Sequence, residues 1–341
     1  MKYILKKYWI HIVFILIIYI PIIVITTTRT NYSLILKGDT TKFNSVVDID
    51  TDYIEEGSFS TIYVISMDKS TVFQNLITAG LPTVEKYKMS TSYTHLSDIE
   101  TYKAGKIDYY SSIEIAIINA YTYAKLDDDS INIDYKFKSF DVTWYKKDSQ
   151  FKIGDEIIGI NDISNDSEIG LYNGLRALKD QDTIHIIRNN KPLDIIWQKN
   201  IDSVSITKRY EIDYDTIFPK LKIKDTNVGG PSGGLLQTLS IYNKLTKDDL
   251  THGKKIAGTG TINSDGSVGE IGGIREKIPT ALDDNIDVFF CPKGNYSDAK
   301  EAYDSLNGRS KMQLIEIDNF KDAIKYLKEL KWENIMKLFK N

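Results

Sequence analysis

Cysteine is nearly missing from this chain: Cys291 is the single one in 341 residues, which excludes an intrachain disulfide. It follows the apolar run Val288-Phe289-Phe290 and is expected to be a small buried residue rather than a nucleophile. Histidine is also scarce. His11, His95, His185 and His252 share no metal-ligand spacing, so no metal site is expected. A positive excess is lacking as well. The net charge of −4 argues against a broad nucleic-acid surface, and no nucleic-acid partner is expected. No Gly-x-x-x-x-Gly-Lys-Ser/Thr run occurs, so the phosphate cradle of that motif is excluded and no cofactor is expected. Proline is scarce, whereas Ile, Lys, Asp, Asn and Tyr are heavily used. The length suits two or three domains.

What is present begins with an apolar run. Residues 8–28 contain no Asp, Glu, Lys or Arg and are dominated by Ile, Val, Leu and Phe. That length spans a bilayer. Lys2, Lys6 and Lys7 precede it, and Tyr8 and Trp9 stand at the expected interface. The bias predicts a cytoplasmic 1–7, a transmembrane anchor at 8–28 and an extracytoplasmic remainder at the cell membrane. A cleaved signal peptide is the competing reading, but no small-x-small site follows the run.

Residues 29–128 form an expected N-terminal extracytoplasmic region in which no side chain asks for a chemical role. Within it, 58–65 reads as a strand, and 70–79 and 112–124 as helices. The Tyr-rich stretch 87–110 reads as exposed or semi-ordered. From Phe151 to Asn161 a Gly-Asp turn leads into alternating apolar residues. A helix at 169–178 and strands at 183–188 and 193–198 follow. In the last part, 204–206, 221–223, 255–262, 286–290 and 313–317 read as strands and 297–306 and 320–330 as helices. Asn263-Ser264-Asp265-Gly266 is a hairpin signal.

Two blocks carry chemistry. Asn227-Val228-Gly229-Gly230-Pro231-Ser232-Gly233-Gly234 puts one hydroxyl among glycines, just before a helical pattern with Leu235, Leu239 and Tyr242 on one face. Ser232 is thereby placed at a helix entrance, where free N–H groups favour a developing oxyanion. A serine needs a base. Val268-Gly269-Glu270-Ile271-Gly272-Gly273-Ile274-Arg275-Glu276-Lys277 supplies one: Lys277, early in a helix and flanked by Ile274 and Ile278. Apolar surroundings and a helix N-terminus both disfavour its charge. His252, in the polar loop 248–255, is the lesser candidate base. Alone, the first block reads as a tight loop and Lys277 as a surface lysine; the pair is the specific signal.

Gly229-Gly230-Pro231-Ser232-Gly233-Gly234, Gly258-Thr259-Gly260-Thr261-Ile262 and Asp265-Gly266-Ser267-Val268-Gly269 through Lys277 resemble the proteolytic domain of Lon-type serine peptidases. The resemblance implies that Ser232 is the nucleophile, Lys277 its base, and Thr259 the residue orienting the lysine. The family usually has alanine where this chain has Gly233. Residues 129–201 are similar to the later part of a PDZ domain, a module that binds extended peptides at a sheet edge. No glycine occurs between Lys106 and Ile153, so its carboxylate-binding loop is expected to be altered. Gly57-Ser58-Phe59 and the helix at Ser112 resemble the region between anchor and PDZ domain in secreted Lon-like proteases.

The expected fold is α+β: an N-terminal transmembrane helix, a PDZ-like β-rich domain at 129–201 and a Lon-type proteolytic domain at 202–341. The implied function is an ATP-independent, membrane-anchored serine endopeptidase acting on exported peptides or unfolded segments, with the oligomeric state open. The alternative is a tethered peptide-binding protein that keeps both folds without turnover.

Overall fold

The computed structural model describes residues 2–43, 46–81, 83–90, 95–224, 226, 228–306 and 311–338, without the side chains of 2–5 and 331–338. Asn227, the first residue of the glycine-rich block, lies outside them, as does part of the 87–110 stretch.

The chain opens with α1 (Lys2–Thr27), which runs through Pro21. Its stretch Lys6–Thr27 is long and apolar enough to cross a membrane and is unburied. The order then is β1 (Tyr32–Lys42), β2 (Val47–Ile49), β3 (Ser58–Met67), α2 (Val72–Ile77), β4 (Val84–Lys88) and the long α3 (Asp98–Ala124). Next come β5 (Tyr135–Tyr145), β6 (Glu156–Ile160), β7 (Ile163–Ser164), α4 (Glu168–Arg176), β8 (Thr183–Arg188), β9 (Lys191–Ile196) and β10 (Val204–Ile212). The last part holds β11 (Leu221–Ile223), α5 (Gly234–Leu245), β12 (Lys255–Gly258), β13 (Thr261–Ile262), β14 (Val268–Gly269), α6 (Ile274–Asp283), β15 (Val288–Pro292), α7 (Tyr296–Ser305), β16 (Gln313–Ile317) and α8 (Phe320–Leu338).

The class is mixed α/β, with two principal sheets. The first has the order β16-β15-β12-β3-β1-β4. Its pairings around β12 and β15 are parallel, and those of β1 are antiparallel. A parallel sheet covered on both faces needs continuous apolar strands, and Val288-Phe289-Phe290-Cys291 is buried throughout. Phe290 and Ile256 face a core built with α3, α5 and α8. Phe289, Cys291 and Ile62 face a second core under α6 and α7. The second sheet, β10-β5-β6-β8-β9, is antiparallel and has its own core with Leu171 of α4.

The expected linear division does not follow the layers. The strands of 29–128 and of 202–341 interleave in one sheet, with β3 parallel to β12 from Ser58↔Lys255 to Thr61↔Gly258. Residues 129–201 hold most of the second sheet, but β10 completes it.

The stretch 87–110, expected to be exposed or semi-ordered, is helical from Asp98, because Ser97 caps α3 and Glu100 closes a capping box; Tyr87 and Tyr102 are exposed as expected, whereas Tyr109 is buried. Its apolar residues show no single stripe, since α3 serves two cores. Ala104 and Ile107 pack on the second sheet. Ile113, Ile117 and Tyr121 pack on the first. Arg209 of β10 reinforces this junction through Glu114 of α3 (2.7 Å) and Asp141 of β5 (3.3 Å).

Candidate active site

The loop from Val228 to Gly233 joins β11 to α5, and α3 shapes it. Gly230 has φ +84°, and its N–H donates to the Gly105 carbonyl at 2.7 Å. The Ser112 hydroxyl donates to the Pro231 carbonyl at 3.2 Å and lies 3.3 Å from Gln237 Oε1. On the other side, the Ser232 carbonyl accepts from the Gly260 N–H at 2.8 Å and the Thr259 hydroxyl at 3.0 Å. The nucleophile candidate is therefore clamped through its backbone, and its side chain stays half-buried at the entrance of α5.

The Gly234 N–H donates to the Pro231 carbonyl at 3.2 Å and is spent in that turn. The Ser232 and Gly233 N–H groups have no backbone acceptor among the described residues. Gly234 is needed for space: a Cβ there would stand 2.6 Å from Ile262 Cγ2 and 2.9 Å from the Ile262 nitrogen. Gly233 is different. A Cβ would meet Thr61 Cγ2 at 3.1 Å and Gln237 Nε2 at 3.3 Å, close but relievable by small shifts.

Lys277 arrives from the other side of the first sheet. Gly273 starts α6 in a left-handed conformation (φ 69°) that a β-carbon would strain. The helix continues through Pro279 to Asp283. Lys277 is 1% exposed, among Ile62, Ile274 and Ile278. Its ammonium donates to the Ile62 carbonyl of β3. Nζ lies 3.5 Å from Ser232 Oγ. Burial pulls the Lys277 pKa down to about 8. A cavity of about 110 Å³ opens over the pair, lined also by Thr61, Tyr63, Tyr109 and Gly272.

Thr259 directs its hydroxyl to the Ser232 carbonyl rather than to the lysine, so it holds the serine's backbone. His252 bonds the Leu327 carbonyl through Nε2 at 3.0 Å. Cys291 is fully buried in β15, and burial pushes its thiol up to about 12. Among the described residues no cluster of metal-ligating side chains occurs.

The expectation of no chemical role in 29–128 is corrected here. Ile62 holds the lysine through its carbonyl, and Ser112 holds the serine loop. A backbone carbonyl leaves no trace in side-chain identity, and a single serine in a helix has no signature of its own.

Beyond Thr61, β3 has lost β12 as a neighbour but still pairs with β1 as far as Met67. Among the described residues no strand pairs with β3 on that edge beyond Thr61, and the alternation of backbone groups puts the Ile62 carbonyl and the polar backbone groups of Val64 along it.

Residues 217–329 match the family model described as the Lon protease (S16) C-terminal proteolytic domain. Ser232, Thr259 and Lys277 all fall inside it. The Lon protease of Campylobacter jejuni subsp. jejuni is 30% identical over 131 residues, 36% of this chain and 16% of that protein. The Lon protease of Aster yellows witches'-broom phytoplasma is 29% identical over 94 residues, 28% of this chain and 11% of that protein. The chain thus spans a small part of the relatives it matches. The match suggests serine peptidase activity for this C-terminal part.

Proposed function

We propose that the protein is a serine endopeptidase in which Lys277 activates Ser232. The observation that carries this reading is the buried Lys277 ammonium, held 3.5 Å from a serine hydroxyl at a helix entrance and brought to a pKa of about 8. Roughly a tenth of the molecules then hold a neutral amine at neutral pH. That amine takes the Ser232 proton, and Oγ attacks the scissile carbonyl. The Ser232 and Gly233 N–H groups receive the oxyanion. The ammonium, stabilised by the Ile62 carbonyl, returns its proton to the leaving amine. Water then hydrolyses the acyl-enzyme with Lys277 again as base. Gly230 and Pro231 shape the turn, Gly234 lets α5 approach Ile262, and Thr259 fixes the serine's backbone. A contact of 3.5 Å is long for proton transfer, but such bonds tighten in substrate complexes. The open edge of β3 at Ile62–Val64 suits an extended substrate added as a strand.

The wider reading places α1 in the cell membrane with the bulk of the chain outside it. It makes residues 129–201 a PDZ-like peptide-binding module, and it makes cleavage independent of ATP. Substrates are then short peptides or unfolded segments. Hydrolysis of a fluorogenic unstructured peptide library by the full chain tests the enzymatic core. Wild type should cleave, Ser232→Ala should not, and ATP with magnesium should change neither. Equal cleavage by Ser232→Ala overturns the assignment of the nucleophile. An inert wild type favours the tethered binding protein, and stimulation by ATP overturns the ATP-independent reading.

A further inference from the structure

We propose that α2 and the adjoining end of the first sheet form a second membrane contact, an apolar patch that dips into the interfacial layer of the bilayer beside α1. The inference rests on the reading of α1 as a membrane span and deepens it.

α2 buries none of its residues. Phe73 is 41% exposed, Leu76 62%, Ile77 57% and Leu81, just beyond the helix, 49%. Such a cluster of large apolar side chains needs a cover. Continuity with α1 identifies the cover. The Val72 N–H donates to the Thr28 carbonyl at 3.1 Å, and the Thr30 N–H donates to the Ser70 carbonyl at 2.9 Å. The Asn75 amide reaches Thr30 Oγ1 at 3.2 Å and Ser70 Oγ at 2.8 Å. Arg29 and Thr71 form a β-bridge. These bonds fix α2 against the end of the apolar span, at the level where α1 leaves the membrane.

The surroundings have the composition of a bilayer interface. The Gln74 amide donates to Met67 Sδ at 3.6 Å, so α2 meets the first sheet at the end of β3, on the face that carries Met67. Register places Leu34 opposite Met67 and Lys86, and Tyr32 opposite Lys88, on that same face. Lys86 and Lys88 are exposed, and Lys86 Nζ sits 4.4 Å from the centroid of the Tyr32 ring. Tyrosines at headgroup level and lysines reaching the phosphates are what an interfacial segment presents. The partner is therefore a phospholipid surface rather than another protein.

The test uses the full chain with single added cysteines at Leu76, Ile17 or Ile169, each carrying a polarity-sensitive fluorophore. Cys291 is fully buried and stays unlabelled. The proteins are reconstituted into phosphatidylcholine–phosphatidylglycerol vesicles with brominated acyl chains. Labels at Leu76→Cys and Ile17→Cys should both be quenched and blue-shifted, and the label at Ile169→Cys on α4 should be neither. Quenching at Ile17 with Leu76 behaving like Ile169 overturns the second contact and leaves the anchor standing. No quenching at Ile17 overturns the anchor and the patch together. Leu81→Cys repeats the measurement at a site outside α2, so a local defect in the helix does not decide the result.

Discussion

In the proposed mechanism, stability and chemistry make opposite demands on Lys277. Its folded pKa is about 8, against an ordinary lysine value of 10.5. Each pH unit between the two is worth ~1.4 kcal/mol, so charging the buried amine costs the folded state on the order of 3 kcal/mol. The unfolded chain binds more protons within that window. The cost is fully present below the folded pKa and is relieved as pH rises toward the unfolded one. Lys277→Met keeps the stem and removes the charge. It should abolish peptide cleavage yet melt at or above the wild-type temperature near neutral pH, with the gap shrinking as pH rises toward about 10. Melting curves at several pH values check this; a clear loss of stability in Lys277→Met contradicts it. Gly234→Ala should destabilise the chain by about 1–3 kcal/mol, because its Cβ runs into Ile262. Gly233→Ala should stay within about 1 kcal/mol of wild type and keep cleaving, since its neighbours need move only slightly. Urea titration of both variants is the check. The residue usual in the Lon family is thus expected to be acceptable here, and Gly233 does not argue for an inert site.

α3 is the element that joins the two sheets, and Arg209 is its main polar tie. The Arg209 side chain is 20% exposed, and those of its partners Glu114 and Asp141 are 12% and 5% exposed. Arg209→Leu strips the cation from buried Asp141 and half-buried Glu114 and should cost about 3 kcal/mol. Denaturant unfolding of this variant should show that loss, and an unchanged midpoint would show that the tie contributes nothing. Elements with one period were legible in the sequence. β8 and β16 match the expected 183–188 and 313–317, and α7 lies within a residue of 297–306. The hairpin signal at Asn263–Gly266 joins β13 to β14. Elements serving two masters were not legible. The first half of α3 mixes its faces between two cores, so its periodicity is lost. The expected strand 255–262 divides into β12 and β13 because Gly260 turns the chain with φ 146°. Motif spacing brought out Ser232 and Lys277 as a pair, but the groups that position them are a carbonyl on β3 and a hydroxyl on α3, far away in sequence. They become visible only when the first sheet is assembled.

At the scale of the molecule, the first sheet takes strands from both sides of residues 129–201, so the segment hangs on the candidate catalytic unit through α3, β5 and β10. If it recruits extended peptides, its exposed apolar residues near α4 should matter for long substrates only. Ile169→Asp, at a position 74% exposed, should slow cleavage of long unfolded substrates several-fold and leave short peptides unaffected. Parallel kinetics on the two substrate lengths decide it, and equal effects on both contradict a recruiting role. Topology is tested on intact cells: externally added protease should digest the region after Arg29, and full protection contradicts an outward-facing bulk.

If burial makes Lys277 the base for Ser232, the rate at which a fluorophosphonate modifies Ser232 should follow the titration of that lysine. Measured on the full chain between about pH 6 and 10, that rate should climb nearly tenfold per pH unit and level off above the lysine's pKa of about 8. Lys277→Met should flatten the profile at a rate lower by about two orders of magnitude or more. A wild-type profile independent of pH, or Lys277→Met labelled as fast as wild type, would show that another group activates Ser232.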